Sequence, residues 1–124
     1  MFSVCKEFSF DAAHNLPNYL GKCYHLHGHG FRLCIEVSGA IQTIGSSCGM
    51  IIDFAEMKEI VNGLIINDLD HSNLNDRIPN PTAENLIHWI QARLTPAFEE
   101  RNMRLTRLRL YETPTSCAEW RDDK

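Results

Sequence analysis

Three histidines, at residues 14, 27 and 29, have the type and spacing needed to bind a divalent metal ion. One glycine separates His27 from His29, and alternate residues of an extended strand point to the same side. Residues 4–14 also alternate between apolar and polar, so His14 ends the apolar face of another predicted strand. If the two strands pair antiparallel and no bulge breaks the alternation, the three imidazoles converge. Three such ligands with an open fourth position are typical of catalytic zinc.

Cys23 and His25 precede His27 and His29, and each suggests an alternative to a site made of three histidines. His25 shares the parity of His27 and His29, which makes it a reserve ligand. Cys23 as a fourth ligand would close the site and make it structural, whereas a free thiol beside a dication would suit a base or a nucleophile. The spacing leaves both roles open. Single histidines of this kind are usually core residues bonded to backbone carbonyls, but three on one apolar face favour a metal.

Two further positions carry groups suited to proton transfer or ligand binding. Asp70 and His71 stand together in a polar segment, where they form either a surface turn or a proton relay in which the carboxylate orients the imidazole. Glu112 shares its parity with Leu108 and Leu110, so a carboxylate ends an apolar strand face. Such a group needs a partner, either a core arginine or a bidentate donor on a ligand.

The elements that position these residues follow from periodicity and end signals. Strands are predicted over 4–14, 27–38, 104–113 and 116–121. One helix opens at Asp53, and a second begins after Thr82 as N-cap and ends at Pro96. The order β-β-α-α-β-β predicts a single α+β domain over 1–124. Its expected form is a four-stranded antiparallel sheet with two helices on one face.

Composition argues against several classes of function, although local basic patches remain possible. The formal net charge of -4 gives no support for binding nucleic acid or an anionic membrane, and no apolar run reaches membrane-spanning length. The five cysteines are an odd number and form no CxxC pair, which argues against a disulfide framework and a zinc ribbon. We therefore expect a soluble cytoplasmic protein.

Five motifs, in the same order along almost the whole chain, resemble the 6-pyruvoyl-tetrahydropterin synthase family. They are FSFDAAH (8–14), CYHLHGH (23–29), LDHSNLN (69–75), PTAEN (81–85) and YET (111–113). The three-residue gap between Cys23 and the HGH motif is most similar to the 6-carboxytetrahydropterin synthase branch, which acts in queuosine and deazapurine biosynthesis.

The resemblance implies a role for each candidate residue. His14, His27 and His29 would hold zinc, which binds the side-chain oxygens of 7,8-dihydroneopterin triphosphate and makes the adjacent protons more acidic. Cys23 would act as the general base and Asp70–His71 as a second proton-transfer pair. Glu112 and Thr82 would contact the pterin, and His25 would have no direct part. The metal ligands would thus be His14, His27 and His29, the catalytic residues Cys23, Asp70 and His71, and the substrate contacts Glu112 and Thr82.

The resemblance also implies the tunnelling fold, a homohexamer built as a dimer of trimers, and active sites shared between subunits. The expected products are 6-carboxytetrahydropterin, acetaldehyde and triphosphate. Two alternatives remain at this point: a pyruvoyl-forming synthase that keeps the three-carbon side chain, and a non-catalytic zinc-binding protein.

Overall fold

The computed structural model describes residues 1–123, and its centre is one mixed sheet of five strands. The strands are β1 (Phe2–His14), β2 (His27–Gly39), β3 (Ser72–Asn73), β4 (Arg104–Thr113) and β5 (Ser116–Arg121). Their order across the sheet is β3-β1-β2-β4-β5. Lys124, the last residue of the predicted domain, lies outside the described residues.

Two helical segments complete the chain. The first consists of α1 (Phe54–Val61), a π-helical stretch (Asn62–Ile66) and the short α2 (Asn67–Leu69). The second is the long α3 (Ala83–Glu99). Both begin as predicted, because the Asp53 carboxylate accepts a hydrogen bond from Ala55 N at 2.8 Å and the Thr82 hydroxyl accepts one from Asn85 N at 3.1 Å.

The predicted sheet of four antiparallel strands is wrong in one respect. A fifth strand, β3, pairs in parallel with β1 through Ala12 and Ala13, which makes the sheet mixed. Two residues are too few for alternation to be recognised, so this strand has no signal in the sequence.

The predicted end of the second helix at Pro96 is also wrong, because α3 continues to Glu99. Proline lacks an N–H group, so the helix loses one hydrogen bond at this point. The next turn nevertheless forms, since Glu100 N donates to Pro96 O at 3.0 Å and Phe98 is completely buried.

The core lies between one face of the sheet and the two helical segments. Apolar residues of β1, β2 and β4 at alternate positions pack against buried residues of the helices; examples are Phe10, Phe31, Leu33, Met57, Ile90, Leu94 and Leu110. Phe10 and Phe31 stack with ring centroids 5.0 Å apart, directly beyond the histidines on the same face. The opposite face carries charged residues and cysteines. Within residues 1–123, none of the helices has the length and apolar character to span a bilayer.

Candidate metal centre and active site

The pairing of β1 with β2 brings the three histidines together. The two strands are antiparallel without a register shift, and His14 lies opposite His27 while Ala12 lies opposite His29. All three rings therefore project from the core face at the end of the hairpin. His14 is fully buried, and the ligand atoms of the three side chains all lie within 4.8 Å of one another. The predicted convergence of the histidines is confirmed.

Hydrogen bonds to backbone carbonyls determine the tautomers of two of these rings. His14 Nδ1 lies 2.8 Å from Pro81 O, and His27 Nδ1 lies 2.7 Å from His25 O. A carbonyl oxygen only accepts, so each Nδ1 donates and carries the hydrogen. In the neutral ring, Nε2 is then left with a free lone pair, as is usual for histidines that bind a metal.

The free lone pairs point at one another. The Nε2 atoms of His14 and His27 are 3.1 Å apart, and His29 Nε2 is buried without a hydrogen-bond partner. Burial lowers the pKa of His29, as do the nearby His14 and His27, whereas Glu112 opposes the shift. Two acceptors at 3.1 Å repel unless a cation lies between them. The three histidines thus fit a divalent metal, and imidazole nitrogen is a good ligand for zinc.

Glu112 places a carboxylate beside the three histidines. Its Oε1 lies 3.2 Å from His14 Nε2 and 3.7 Å from His29 Nε2. It also lines a cavity of about 460 Å³, together with Ala83 at the start of α3 and Trp120 of β5. This carboxylate therefore lies beside the histidine cluster, and among residues 1–123 no ion pair joins it to a core arginine. A bidentate donor on a ligand stays a prediction for its partner.

Thr82 is placed beside the cluster by the residue that precedes it. Because His14 donates to Pro81 O, the start of α3 is tied to the end of β1. The Thr82 hydroxyl serves as the N-cap of α3, and the neighbouring Ala83 lines the cavity that contains Glu112.

Cys23 lies in the loop that joins β1 to β2, within a 3-10 turn of residues Lys22–Tyr24. Leu16 N donates to Cys23 O at 2.7 Å, which holds the turn two residues beyond His14. The thiol is partly exposed. Among the described residues, the cluster of potential metal-binding atoms formed by the three histidines does not include Cys23.

Asp70 and His71 form a separate cluster with Asp11 at the edge of the sheet. Asp70 Oδ1 accepts from Asp11 N at 2.9 Å and lies 3.1 Å from His71 Nδ1. The bond from Asp11 N is the main cause that lowers the pKa of Asp70; burial opposes the shift, and the contacts with His71 add to the lowering. His71 N donates to Asp11 O at 2.6 Å, and the residue has a left-handed φ of 58°. The two residues thus form the oriented pair that the relay hypothesis requires.

Three positions that contribute to the site escaped prediction. The carbonyls of Pro81 and His25 orient the two metal-binding rings, and Asp11 anchors the Asp70–His71 pair through its backbone. Backbone acceptors have no sequence signature, since every residue carries one. A cavity lined by Asp11, His29 and His71 connects the edge cluster with the histidine strand, and Cys23 is not part of its lining among residues 1–123.

The fold and the site together define an α+β domain with a three-histidine metal centre at the end of a β-hairpin. Residues 3–123 match the family described as 6-pyruvoyl tetrahydropterin synthase. The chain belongs to this family, as its motifs predicted.

Relatives within the family are similar over most of the chain. A 6-carboxy-5,6,7,8-tetrahydropterin synthase of Haemophilus influenzae is 34% identical over 98% of this chain and 100% of its own length. One from Synechocystis sp. is 46% identical over 78% of each chain. A dihydroneopterin monophosphate aldolase of Pyrococcus furiosus is 38% identical over 84% of this chain and 83% of its own.

The solved structure of Caenorhabditis elegans 6-pyruvoyl tetrahydropterin synthase has the same fold. It superposes with a TM-score of 0.82 at 22% identity and covers 98% of this chain and 96% of that one. The α+β architecture is thereby confirmed, with five strands in a mixed sheet.

Proposed function

We propose that this protein is a zinc-dependent 6-carboxy-5,6,7,8-tetrahydropterin synthase with the tunnelling fold of its family. Its substrate is 7,8-dihydroneopterin triphosphate, and its products are 6-carboxytetrahydropterin, acetaldehyde and triphosphate. The observation that carries the proposal is the position of Glu112, which both contacts the metal-binding histidines and lines the adjacent cavity. A ligand held by this carboxylate has its side chain next to the metal centre.

The cavity has the size and chemistry to hold a pterin. Its volume of about 460 Å³ lies within the range usual for small-molecule sites, and Trp120 gives it an aromatic wall. An ionised carboxylate is an acceptor with two oxygens, and it pairs well with a flat group that offers two parallel N–H donors. The amino-pyrimidine edge of a pterin is such a group. Thr82, at the adjacent helix start, is the second proposed pterin contact.

The metal, held by His14, His27 and His29, would polarise the hydroxyl-bearing side chain of the substrate and make its C–H protons more acidic. Cys23 then accepts a proton from that side chain as general base. His71 moves the second proton through its ring, and Asp70, bonded to His71 Nδ1, keeps the ring oriented. The anchoring bond from Asp11 N holds Asp70 in place during this step.

We further propose that the active site is shared between subunits of a homohexamer. Within one chain, no hydrogen bond or ion pair links Cys23 to Asp70 or His71 among the described residues. The loop that carries Cys23 exposes Tyr19, Leu20, Tyr24 and Leu26, and apolar side chains of this kind favour contact with another subunit. In the part of the chain that the structure describes, Ala12 and Ala13 are the β1 residues that pair with β3, so most of that strand edge is free to pair.

The decisive experiment is product identification with the purified, zinc-loaded protein and 7,8-dihydroneopterin triphosphate. Acetaldehyde together with a carboxylated pterin supports the proposal. A product that keeps the three-carbon side chain, without acetaldehyde, identifies a pyruvoyl-forming synthase instead. Cleavage of dihydroneopterin monophosphate in the absence of turnover of the triphosphate assigns the activity named for the Pyrococcus relative.

A single variant separates catalysis from a merely structural zinc site. If Cys23 is the general base, Cys23→Ala keeps zinc and loses turnover. If Cys23 closes a structural site as the fourth ligand, the same variant loses zinc. Metal content and product formation are measured on one sample. Because the catalytic and the structural role of Cys23 predict opposite zinc contents, the result supports one and excludes the other.

Mixed oligomers test whether the site is shared. Cys23→Ala and His71→Asn subunits are each inactive alone. If one active site takes Cys23 and His71 from different chains, random mixing restores about one quarter of the sites. If both residues come from the same chain, every site keeps one defect and the mixture stays inactive. Sedimentation of the wild-type protein gives the subunit number independently.

A further inference from the structure

Lys22 is the cationic residue nearest in sequence to the proposed general base, and nothing in the site described so far uses it. It lies directly before Cys23 in the loop between β1 and β2 and is exposed. A substrate with a triphosphate group needs cationic partners, because its phosphates keep several negative charges at neutral pH. The inference below rests on the proposed function, since it concerns that same substrate.

The arginines of the chain already have carboxylate partners. Arg109 and Arg121 share Glu119 at 2.7 Å each, Arg32 pairs with Glu7 at 2.7 Å, and Arg93 pairs with Asp68 at 3.1 Å. The remaining four, Arg77, Arg101, Arg104 and Arg107, also form ion pairs. A paired guanidinium has its charge neutralised locally, so a triphosphate gains less from it than from an unpaired cation.

Only lysines remain as described side-chain cations without a carboxylate partner, and their positions differ. Lys6 lies on β1, eight residues before His14, which corresponds to about 26 Å along an extended strand. Lys58 lies exposed on α1, an element that supplies no residue to the metal centre or its cavity. Lys22 is therefore the described cation without a carboxylate partner that lies beside the proposed general base Cys23 in the sequence, within the same turn.

The loop around Lys22 has a defined backbone. His25 N donates to Lys22 O at 3.1 Å, and Tyr24 N donates to Gly21 O at 3.1 Å. The Tyr19 ring packs so closely on Gly21 that an added Cβ would lie 2.8 Å from Tyr19 Cε1. The backbone at Lys22 is thus held on both sides, while its long and flexible side chain is free to reach a phosphate.

Three carboxylates lie around the site. Glu112 lies at the metal centre, and Asp11 and Asp70 lie at the sheet edge. These carboxylates repel a triphosphate, so its favourable position is on the side of the hairpin loop. We propose that Lys22 binds the triphosphate group of the substrate and, after the reaction, the released inorganic triphosphate.

The proposal is tested with inorganic triphosphate as the probe and the zinc-loaded, full-length protein. Titration calorimetry gives its Kd for wild type, Lys22→Ala, Lys22→Arg and the control Lys58→Ala. We expect roughly 10- to 100-fold weaker binding for Lys22→Ala, which corresponds to the loss of one charged hydrogen bond. Lys22→Arg keeps most of the affinity because the charge is retained. Lys58→Ala binds like wild type.

A kinetic measurement complements the titration. Lys22→Ala raises KM for 7,8-dihydroneopterin triphosphate by a similar factor and leaves kcat and zinc content close to wild type. Unchanged triphosphate affinity and KM in Lys22→Ala overturn the inference. So does a lost kcat with a shifted pH dependence of Cys23 alkylation, because Lys22 would then act on the thiol. If acetaldehyde is not formed but triphosphate binding depends on Lys22, the proposed function fails and this inference stands.

Discussion

His14 Nε2 and His27 Nε2 lie 3.1 Å apart, although the Nδ1 atoms of both rings donate to backbone carbonyls. In the neutral rings this leaves two lone pairs that face each other, with buried His29 Nε2 close by and without a partner. Such an arrangement is unfavourable in the absence of a cation. The same carbonyl bonds that create the repulsion also hold the rings ready for a metal, so the protein carries the cost of assembling the site before the metal binds.

Removal of the metal should therefore destabilise the folded protein. A ligand that binds only the native state adds about 4 kcal/mol when its free concentration is 1,000 times its Kd. We expect a chelator to lower Tm, and zinc to restore it, as measured by scanning calorimetry. The variant His27→Ala should have a low zinc content and a Tm that no longer responds to zinc.

His25→Ala provides a matched control for this experiment. The contact between His25 and His27 uses the backbone oxygen of His25, which alanine retains. Zinc content and the zinc-dependent Tm of His25→Ala should equal those of wild type. Loss of zinc in this variant would mean that the side chain of His25 takes part in the site after all.

The left-handed backbone of His71 determines how its role is best tested. Its φ is 58°, which costs a residue with an ordinary side chain about 1–2 kcal/mol, whereas asparagine tolerates this region well. His71→Ala should therefore lose both stability and turnover. His71→Asn should keep the wild-type Tm and still lower kcat by a factor of roughly 10² to 10⁴. Turnover near the wild-type rate in His71→Asn would exclude a proton-transfer role.

Much of this architecture follows from alternation along the chain. The predicted strands 104–113 and 116–121 coincide with β4 and β5, and the parity of His14, His27 and His29 correctly predicts one buried face. Alternation succeeds here because β1 and β2 pair over their full length without a bulge. The position of Glu112 on the core-facing side follows from the same rule.

The remaining features depend on contacts between residues distant in the sequence. β3 exists because Ser72 and Asn73 meet Ala12 and Ala13, and two residues carry no periodic signal. Arg93 Nε of α3 donates to the Leu64 carbonyl of the π-helical stretch at 2.9 Å, across 29 residues of sequence. The bond from His14 to Pro81 spans 67 residues. Single-sequence patterns describe local preferences and cannot specify such pairs.

Cys34 should react more slowly with an alkylating reagent than the exposed Cys48. Burial raises the pKa of Cys34 to about 11, and its hydrogen bond to Glu7 Oε1 at 3.2 Å adds to the shift. A raised pKa leaves less thiolate, so at pH 8 the reactive fraction is about 100-fold lower than for a thiol of pKa 9.

Peptide mapping by mass spectrometry after a timed reaction with iodoacetamide measures this difference. Cys48, which is exposed, is the internal reference, and the ratio of the two rates is compared with that in denaturant. We expect a low ratio in the native protein and a ratio near one after unfolding. Equal rates in the native state would show that the thiol of Cys34 is not held in its protonated form.

Glu112→Gln tests whether the carboxylate of Glu112 binds the pterin or the metal. Glutamine keeps the length of the side chain but has neither the charge nor the second acceptor oxygen. If Glu112 binds the pterin, KM should rise roughly 10- to 100-fold, as expected for the loss of a charged hydrogen bond, and zinc content should be unchanged. If instead its contact with His14 at 3.2 Å reflects direct metal binding, zinc content should fall together with Tm. Glu59→Gln, on the exposed surface of α1, controls for the change in net charge and should match wild type in both measurements.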